Sequence, residues 1–147
     1  MLKTWVVVIL LASGVAAGCG ASKQAADTGT SGSTTQAACN GKALSAAPKL
    51  PASFPQIEPA KLTYTQQSTN GPTEVVEGYF TGSVQEAHDE FHKELKAAGY
   101  TILFEEVEAP HDSEISWKGH GRTGLIAMRQ QCSANDKTYV RITNRSA

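Results

Sequence analysis

The stretch TEVVEGYFTGSVQEAHDEFHKELKAAGY, residues 73 to 100, decides the fold because it places one helix directly after one strand. Thr73 to Thr81 is rich in β-branched and aromatic residues and predicts the strand. Ser83 to Gly99 predicts the helix, which begins with a capping box formed by Ser83 and Glu86. The apolar residues of this helix follow one stripe that must face a sheet: Val84, Ala87, Phe91, Leu95 and Ala98.

Shorter segments on either side alternate apolar and polar residues, as half-buried strands do. We predict strands at Lys61 to Gln67, Tyr100 to Glu108, Glu114 to Lys118, Leu125 to Cys132 and Thr138 to Asn144. Prolines 51, 55 and 59 make the preceding segment an extended entry arm. These segments predict an α+β domain: an antiparallel sheet of about five strands, in the order ββαβββ, with one amphipathic helix on one face.

The domain pattern resembles that of small domains in uncharacterised bacterial secreted proteins and lipoproteins. The resemblance is carried by a strand ending in Tyr79-Phe80-Thr81, a capped helix from Ser83, the pair Gly99-Tyr100 and the late strands. Since these are caps and core positions, the resemblance implies a fold and transfers no active site.

The N-terminus predicts a signal peptide, with a basic Lys3, an apolar run from Trp5 to Leu11 and small residues from Ser13 to Gly18. This run is shorter than the roughly 20 apolar residues that a membrane-spanning helix needs. Ala16-Ala17-Gly18-Cys19 resembles the lipobox of bacterial lipoproteins, with Ala16 where leucine is usual.

The lipobox resemblance implies a diacylglycerol on Cys19 and cleavage between Gly18 and Cys19. Two long acyl chains would hold the protein on the extracytoplasmic side of a bacterial plasma membrane. The alternative is an ordinary secretory signal that is cleaved after Ala17 or Gly18 and leaves Cys19 as a free thiol.

Composition divides the chain into a signal peptide at 1–18, a flexible linker at 19–47 and the α+β domain at 48–147. The linker is dominated by Ala, Gly, Ser, Thr and Gln and has almost no large apolar residue. With Cys19 lipidated, Cys39 and Cys132 remain as a pair in an oxidising compartment and predict a disulfide. Reduced cysteines or a redox role are the alternative, but the chain has no Cys-x-x-Cys motif.

The charges balance overall but are unevenly distributed. With 13 basic and 14 acidic residues, the composition gives no argument for nucleic-acid binding. Acids dominate up to Glu114, whereas cations dominate the last strands: Lys118, Arg122, Arg129, Lys137, Arg141 and Arg145. Such a patch suits anionic lipid head groups or cell-wall polymers, but pairing with Glu77 or Glu105 across the sheet is the favoured interpretation.

His88 and His92 lie one helical turn apart, the spacing by which a zincin helix presents two nitrogens to a metal. Asp89 stands where that motif has glutamate, and no downstream motif provides a third ligand, although His111 and His120 are present. The favoured interpretation is an amphipathic flank with no metal and no cofactor. A metal-dependent hydrolase that uses His88 and His92 remains the enzyme alternative.

The sheet face away from the helix is solvated, covered by the arm or used for binding. Tyr79, Tyr139, Arg141 and Lys118 are the candidate binding residues there. The chain has no Gly-x-Ser-x-Gly motif and no phosphate-binding glycine loop. We therefore expect a monomeric, non-catalytic interaction module of the envelope, with a protein, polymer or small ligand as partner; a purely structural envelope protein is the other alternative.

Overall fold

The computed structural model describes residues 30–147, with side chains from residue 35 onward. The predicted signal peptide, Cys19 and the first part of the predicted linker lie outside the described residues. No helix within the described part is both long enough and apolar enough to span a membrane.

Two helices and six strands make up the described chain. They are α1 (Thr30–Asn40), β1 (Leu62–Asn70), β2 (Thr73–Thr81), α2 (Val84–Ala97), β3 (Thr101–Glu108), β4 (Asp112–Gly119), β5 (Arg122–Arg129) and β6 (Lys137–Ser146). All six strands form one antiparallel sheet in the order β1-β2-β6-β5-β4-β3. The predicted α+β class is confirmed. The expected order ββαβββ is wrong, because four strands follow α2.

The helix α2 begins and ends as its sequence predicts. The Ser83 hydroxyl accepts a hydrogen bond from the Glu86 amide at 3.2 Å, and the Glu86 carboxylate accepts one from the Ser83 amide at 2.8 Å. Gly99 adopts a φ of 81°, in the left-handed region that favours glycine. The chain then reverses, and the Tyr100 amide donates to the Leu95 carbonyl at 2.9 Å.

The main core lies between α2 and the sheet face that α2 covers, which we call the inner face. Phe91 and Leu95 of α2 are fully buried, as are Trp117 and Ile142 of the sheet. The entry arm closes the same core through Phe54, whose ring lies 5.5 Å from that of Trp117. The inner face is therefore covered by α2 and by the arm.

The predicted flexible linker at 19–47 is wrong for its later part, because Thr30–Asn40 is the helix α1. Ala38 and Cys39 are buried against Tyr139, and Cys39 forms the predicted disulfide with Cys132. Tyr139 alternates with Val140, which faces the main core, so α1 lies on the opposite face of the sheet, the outer face. A polar helix of this kind is stabilised by tertiary contacts rather than by its own propensity.

Candidate functional site

Three titratable side chains meet at the rim of the inner face, and we call His88, His92 and Glu105 the histidine cluster. His88 and His92 are four residues apart, so they lie on the same side of α2. Glu105 of β3 reaches both rings: its Oε2 lies 2.7 Å from His92 Nδ1 and 3.6 Å from His88 Nε2. The side chain of His88 is 8% exposed, whereas those of His92 and Glu105 are 35% and 39% exposed. The cluster is thus anchored in the core and open to solvent on one side.

A second layer of hydrogen bonds fixes the His88 ring. The Ser113 hydroxyl donates to the Glu106 carbonyl at 2.7 Å, so its oxygen is left to accept from His88 Nδ1, also at 2.7 Å. This arrangement puts a hydrogen on Nδ1 and turns Nε2 toward Glu105. Burial lowers the pKa of His88, and the nearby Glu105 carboxylate opposes that shift.

Glu105 enters the cluster because of a β-bulge in β3 between Ile102 and Phe104. Ile102 pairs with the buried Trp117, and after the bulge Glu105 pairs with the buried Ile115, so both point to the inner face. The sequence gives no sign of this bulge. The expectation that Glu105 pairs with cations of the last strands is therefore wrong, since its partners are the two histidines.

The other candidates from the zincin-like motif lie elsewhere. Asp89 is exposed and accepts a hydrogen bond from Gln85 Nε2 at 2.9 Å on the solvent side of α2. His120 contacts the opposite end of the helix, with its Nε2 3.0 Å from the Ala98 carbonyl oxygen. Neither residue belongs to the histidine cluster, so the carboxylate that would activate a metal-bound water in a zincin has no counterpart at Asp89.

The four predicted binding residues do share the outer face, but they do not form one free surface. Tyr139 is 7% exposed beneath α1 and donates a hydrogen bond to Glu77. Burial and this hydrogen bond raise the pKa of Tyr139 above its usual range. Lys137 Nζ lies 3.9 Å above the ring of Tyr79, and Arg141 Nε lies 3.5 Å from Glu77.

Cation pairing on the outer face is confirmed for Arg141, and Arg129 likewise pairs with Glu114 and with Asp112. Within residues 35–147, Lys118 and Arg145 form no ion pair of 4.0 Å or less. Both are exposed, and both are direct register partners of Thr123. Lys118 of β4 and Arg145 of β6 therefore lie on either side of Thr123 in β5.

A groove of about 350 Å³ lies on the outer face beside these two cations. Hydroxyl groups and one apolar side chain dominate its lining, which includes Thr73, Ser116, Thr123, Leu125, Thr143 and Arg145. Alternation along the strands predicts that these residues share a face, but it does not show that α1 leaves this half of the face open.

Comparisons with protein-family models, with curated proteins and with solved structures found no match to this chain. Indications of function therefore come from the geometry of the outer face and of the histidine cluster.

Proposed function

We propose that this chain is a lipid-anchored, non-catalytic binding module on the extracytoplasmic side of a bacterial plasma membrane, and that its outer face binds a phosphate-bearing envelope polymer. The lipobox resemblance at Ala16 to Cys19 supports the anchor. The observation that carries the binding proposal is the groove on the outer face beside Lys118 and Arg145, two cations that form no ion pair with any side chain of residues 35–147.

The outer face separates its charges into two halves. Lys118, Thr123 and Arg145 form one row across β4, β5 and β6. Because adjacent strands lie about 4.8 Å apart, the Cα atoms of the two cations are about 10 Å apart. The acids Asp112 and Glu114 of β4 and Glu77 of β2 lie toward the other end of the outer face, where they pair with Arg129 and Arg141. The groove end of the face is left with a positive field.

The groove chemistry suits an oxyanion with further polar atoms. Threonine and serine hydroxyls donate hydrogen bonds to anionic oxygens, while lysine and arginine supply charge-assisted ones. Two cations spaced across three strands fit repeated anionic groups along a polymer better than one small anion. A lipid anchor would also keep the domain at high local concentration among envelope polymers.

Binding of inorganic polyphosphate to the full chain, purified in detergent, tests this proposal. Lys118→Gln and Arg145→Gln should each weaken binding by up to about fivefold, since exposed charge contacts contribute about 0.2–1 kcal/mol. Lys96→Gln is the matched control, because Lys96 is exposed on α2, which covers the inner face. Affinity should fall as salt rises.

Two outcomes would overturn the proposal. An equal loss of affinity in Lys96→Gln would mean that net charge, not the groove, governs binding. Binding to vesicles of anionic phospholipid with no binding to polyphosphate would assign the cations to lipid head groups instead.

A further inference from the structure

We propose that the histidine cluster is a metal site that binds one Zn²⁺ through His88 Nε2, His92 Nδ1 and one oxygen of Glu105. The site lies at the rim of the inner face, on the other side of the sheet from the groove. It is therefore independent of the polymer-binding proposal, and either one can fail alone.

The distances in the cluster suit a tetrahedral ion after a small adjustment. One ligand atom from each of the three residues lies within 4.8 Å of the ligand atoms of the other two. Zinc bonds of about 2.0–2.2 Å in a tetrahedral arrangement place ligand atoms about 3.3–3.5 Å apart. The separation of 3.6 Å between His88 and Glu105 is close to that range, and the 2.7 Å between His92 and Glu105 must lengthen. The side chains of His92 and Glu105 are partly exposed, so they have room to rotate.

The His88 side chain is preorganised as a ligand. Ser113 accepts its Nδ1 hydrogen, so in the neutral ring the Nε2 lone pair points at the Glu105 carboxylate. Two electron-pair donors then face each other, and a divalent cation between them would satisfy both. Metal-binding histidines usually have such a hydrogen-bond partner at the other ring nitrogen, because it fixes the tautomer and the ring orientation.

The ligand types select for zinc over calcium and magnesium. Imidazole nitrogens suit zinc and its transition-metal neighbours, whereas calcium and magnesium prefer oxygen ligands. Two histidines and one carboxylate leave a fourth position, which the exposed side of the cluster would fill with water. Asp89 points away from this position, so it is not placed to activate that water.

The competing arrangement is a hydrogen rather than a metal, with His92 Nδ1 donating to Glu105 at 2.7 Å. In it, His88 is either neutral, with its Nε2 lone pair facing the carboxylate, or charged on a side chain that is 8% exposed. The two arrangements predict opposite results for metal binding, so a zinc titration distinguishes them.

The test is a zinc titration of the full chain, purified in detergent without a polyhistidine tag and freed of metal with a chelator. We expect one Zn²⁺ per chain, and visible absorption typical of tetrahedral Co²⁺ when cobalt replaces zinc. Glu105→Gln and His92→Gln should each lower zinc affinity at least tenfold. Both residues are partly exposed, so we expect both variants to fold, which thermal unfolding without metal would verify.

Matched controls separate the cluster from other possible ligands. Glu106→Gln changes the neighbouring carboxylate, since Glu106 is the register partner of Glu114 in β4 and lies on the outer face. His120→Gln removes a histidine outside the cluster. Both should bind zinc as the unmodified protein does. Absence of stoichiometric zinc binding in the unmodified protein, or equal affinity in Glu105→Gln and Glu106→Gln, would overturn the proposal.

Discussion

Gly124 lies on β5 between the indole ring of Trp117 and the backbone of β6. A methyl group added here would lie 2.0 Å from the Thr143 carbonyl oxygen and 2.5 Å from Cζ2 of Trp117. Since Trp117 is fully buried and Thr143 is held in the sheet, neither contact can relax easily.

We therefore expect Gly124→Ala to lower the free energy of unfolding by about 1–3 kcal/mol, as overpacked core substitutions do. Urea denaturation followed by tryptophan fluorescence measures this change. Gly121→Ala is an informative comparison, because its added methyl group meets nothing within 4 Å and any cost there comes from its φ of 71°. A Gly124→Ala variant as stable as the unmodified protein would contradict the close approach of β5 to Trp117.

The N-terminal end of α2 is stabilised by its cap residue, Ser83. Ser83→Ala removes the hydroxyl that accepts from the Glu86 amide and should destabilise the protein by about 1 kcal/mol. The amide and hydroxyl of Ser83 also lower the pKa of Glu86 below its usual value of 4.5. A carboxylate with a lowered pKa contributes stability above its unfolded pKa, and this contribution is lost as the pH falls through the folded pKa.

The difference in stability between Ser83→Ala and the unmodified protein should therefore shrink as the pH falls from 7 toward 3. Chemical denaturation at several pH values measures it. Ala97→Gly, at an exposed and uncharged position at the other end of α2, should destabilise the helix with no such pH dependence. A difference that stays constant down to pH 3 would mean that the Ser83 hydroxyl does not stabilise the charged Glu86 carboxylate.

At the scale of elements, α1 owes its position to contacts from outside the helix. The Cys39–Cys132 disulfide closes a sequence separation of 93 residues, and the Ala38 carbonyl accepts from the Thr65 hydroxyl at 2.8 Å. In the chain-entropy model, a loop of this length contributes about 4.7 kcal/mol. We expect the double variant Cys39→Ser, Cys132→Ser to lose about that much stability and the amides of α1 to lose protection in hydrogen exchange. Unchanged protection of α1 would show that packing against Tyr139 is sufficient.

The elements that the sequence predicts are those with strong local signals. The strand β2 and the helix α2 show clear periodicity and a capping box, and the structure has both where the pattern places them. The helix α1 shows no such signal, because small polar residues favour no helix in isolation. Its existence depends on Tyr139 and Cys132, about 100 residues later in the chain.

The candidate site shows the same division between local and long-range information. Helical spacing brings His88 and His92 to one side of α2, which the sequence alone predicts. The bulge that turns Glu105 inward arises from the pairing of β3 with β4, and the coverage of Tyr139 arises from α1. Strand alternation predicts which residues share a face, but not which part of that face stays open.

At the scale of the whole molecule, the sheet separates two regions with different chemistry. The histidine cluster lies at the rim of the inner face, and the cationic groove lies on the outer face beside the part that α1 covers. Ten residues lie between Cys19 and Thr30, where α1 begins. At most about 3.5 Å per residue, this segment keeps the start of α1 within roughly 40 Å of a lipid attached to Cys19. A lipid anchor would therefore hold both regions close to the membrane surface.

The anchor itself gives the last prediction. Cys19→Ser removes the thiol that would carry the diacylglycerol, so the protein should either leave the membrane fraction or persist as an uncleaved precursor. In both cases, incorporation of a fatty-acid probe should be lost. Cys132→Ser is the matched control, because it also replaces a cysteine with serine but leaves Cys19 in place. That variant should stay in the membrane fraction and take up the probe. Equal probe incorporation in Cys19→Ser and in the unmodified protein would contradict the lipobox interpretation, since acylation would then not depend on Cys19.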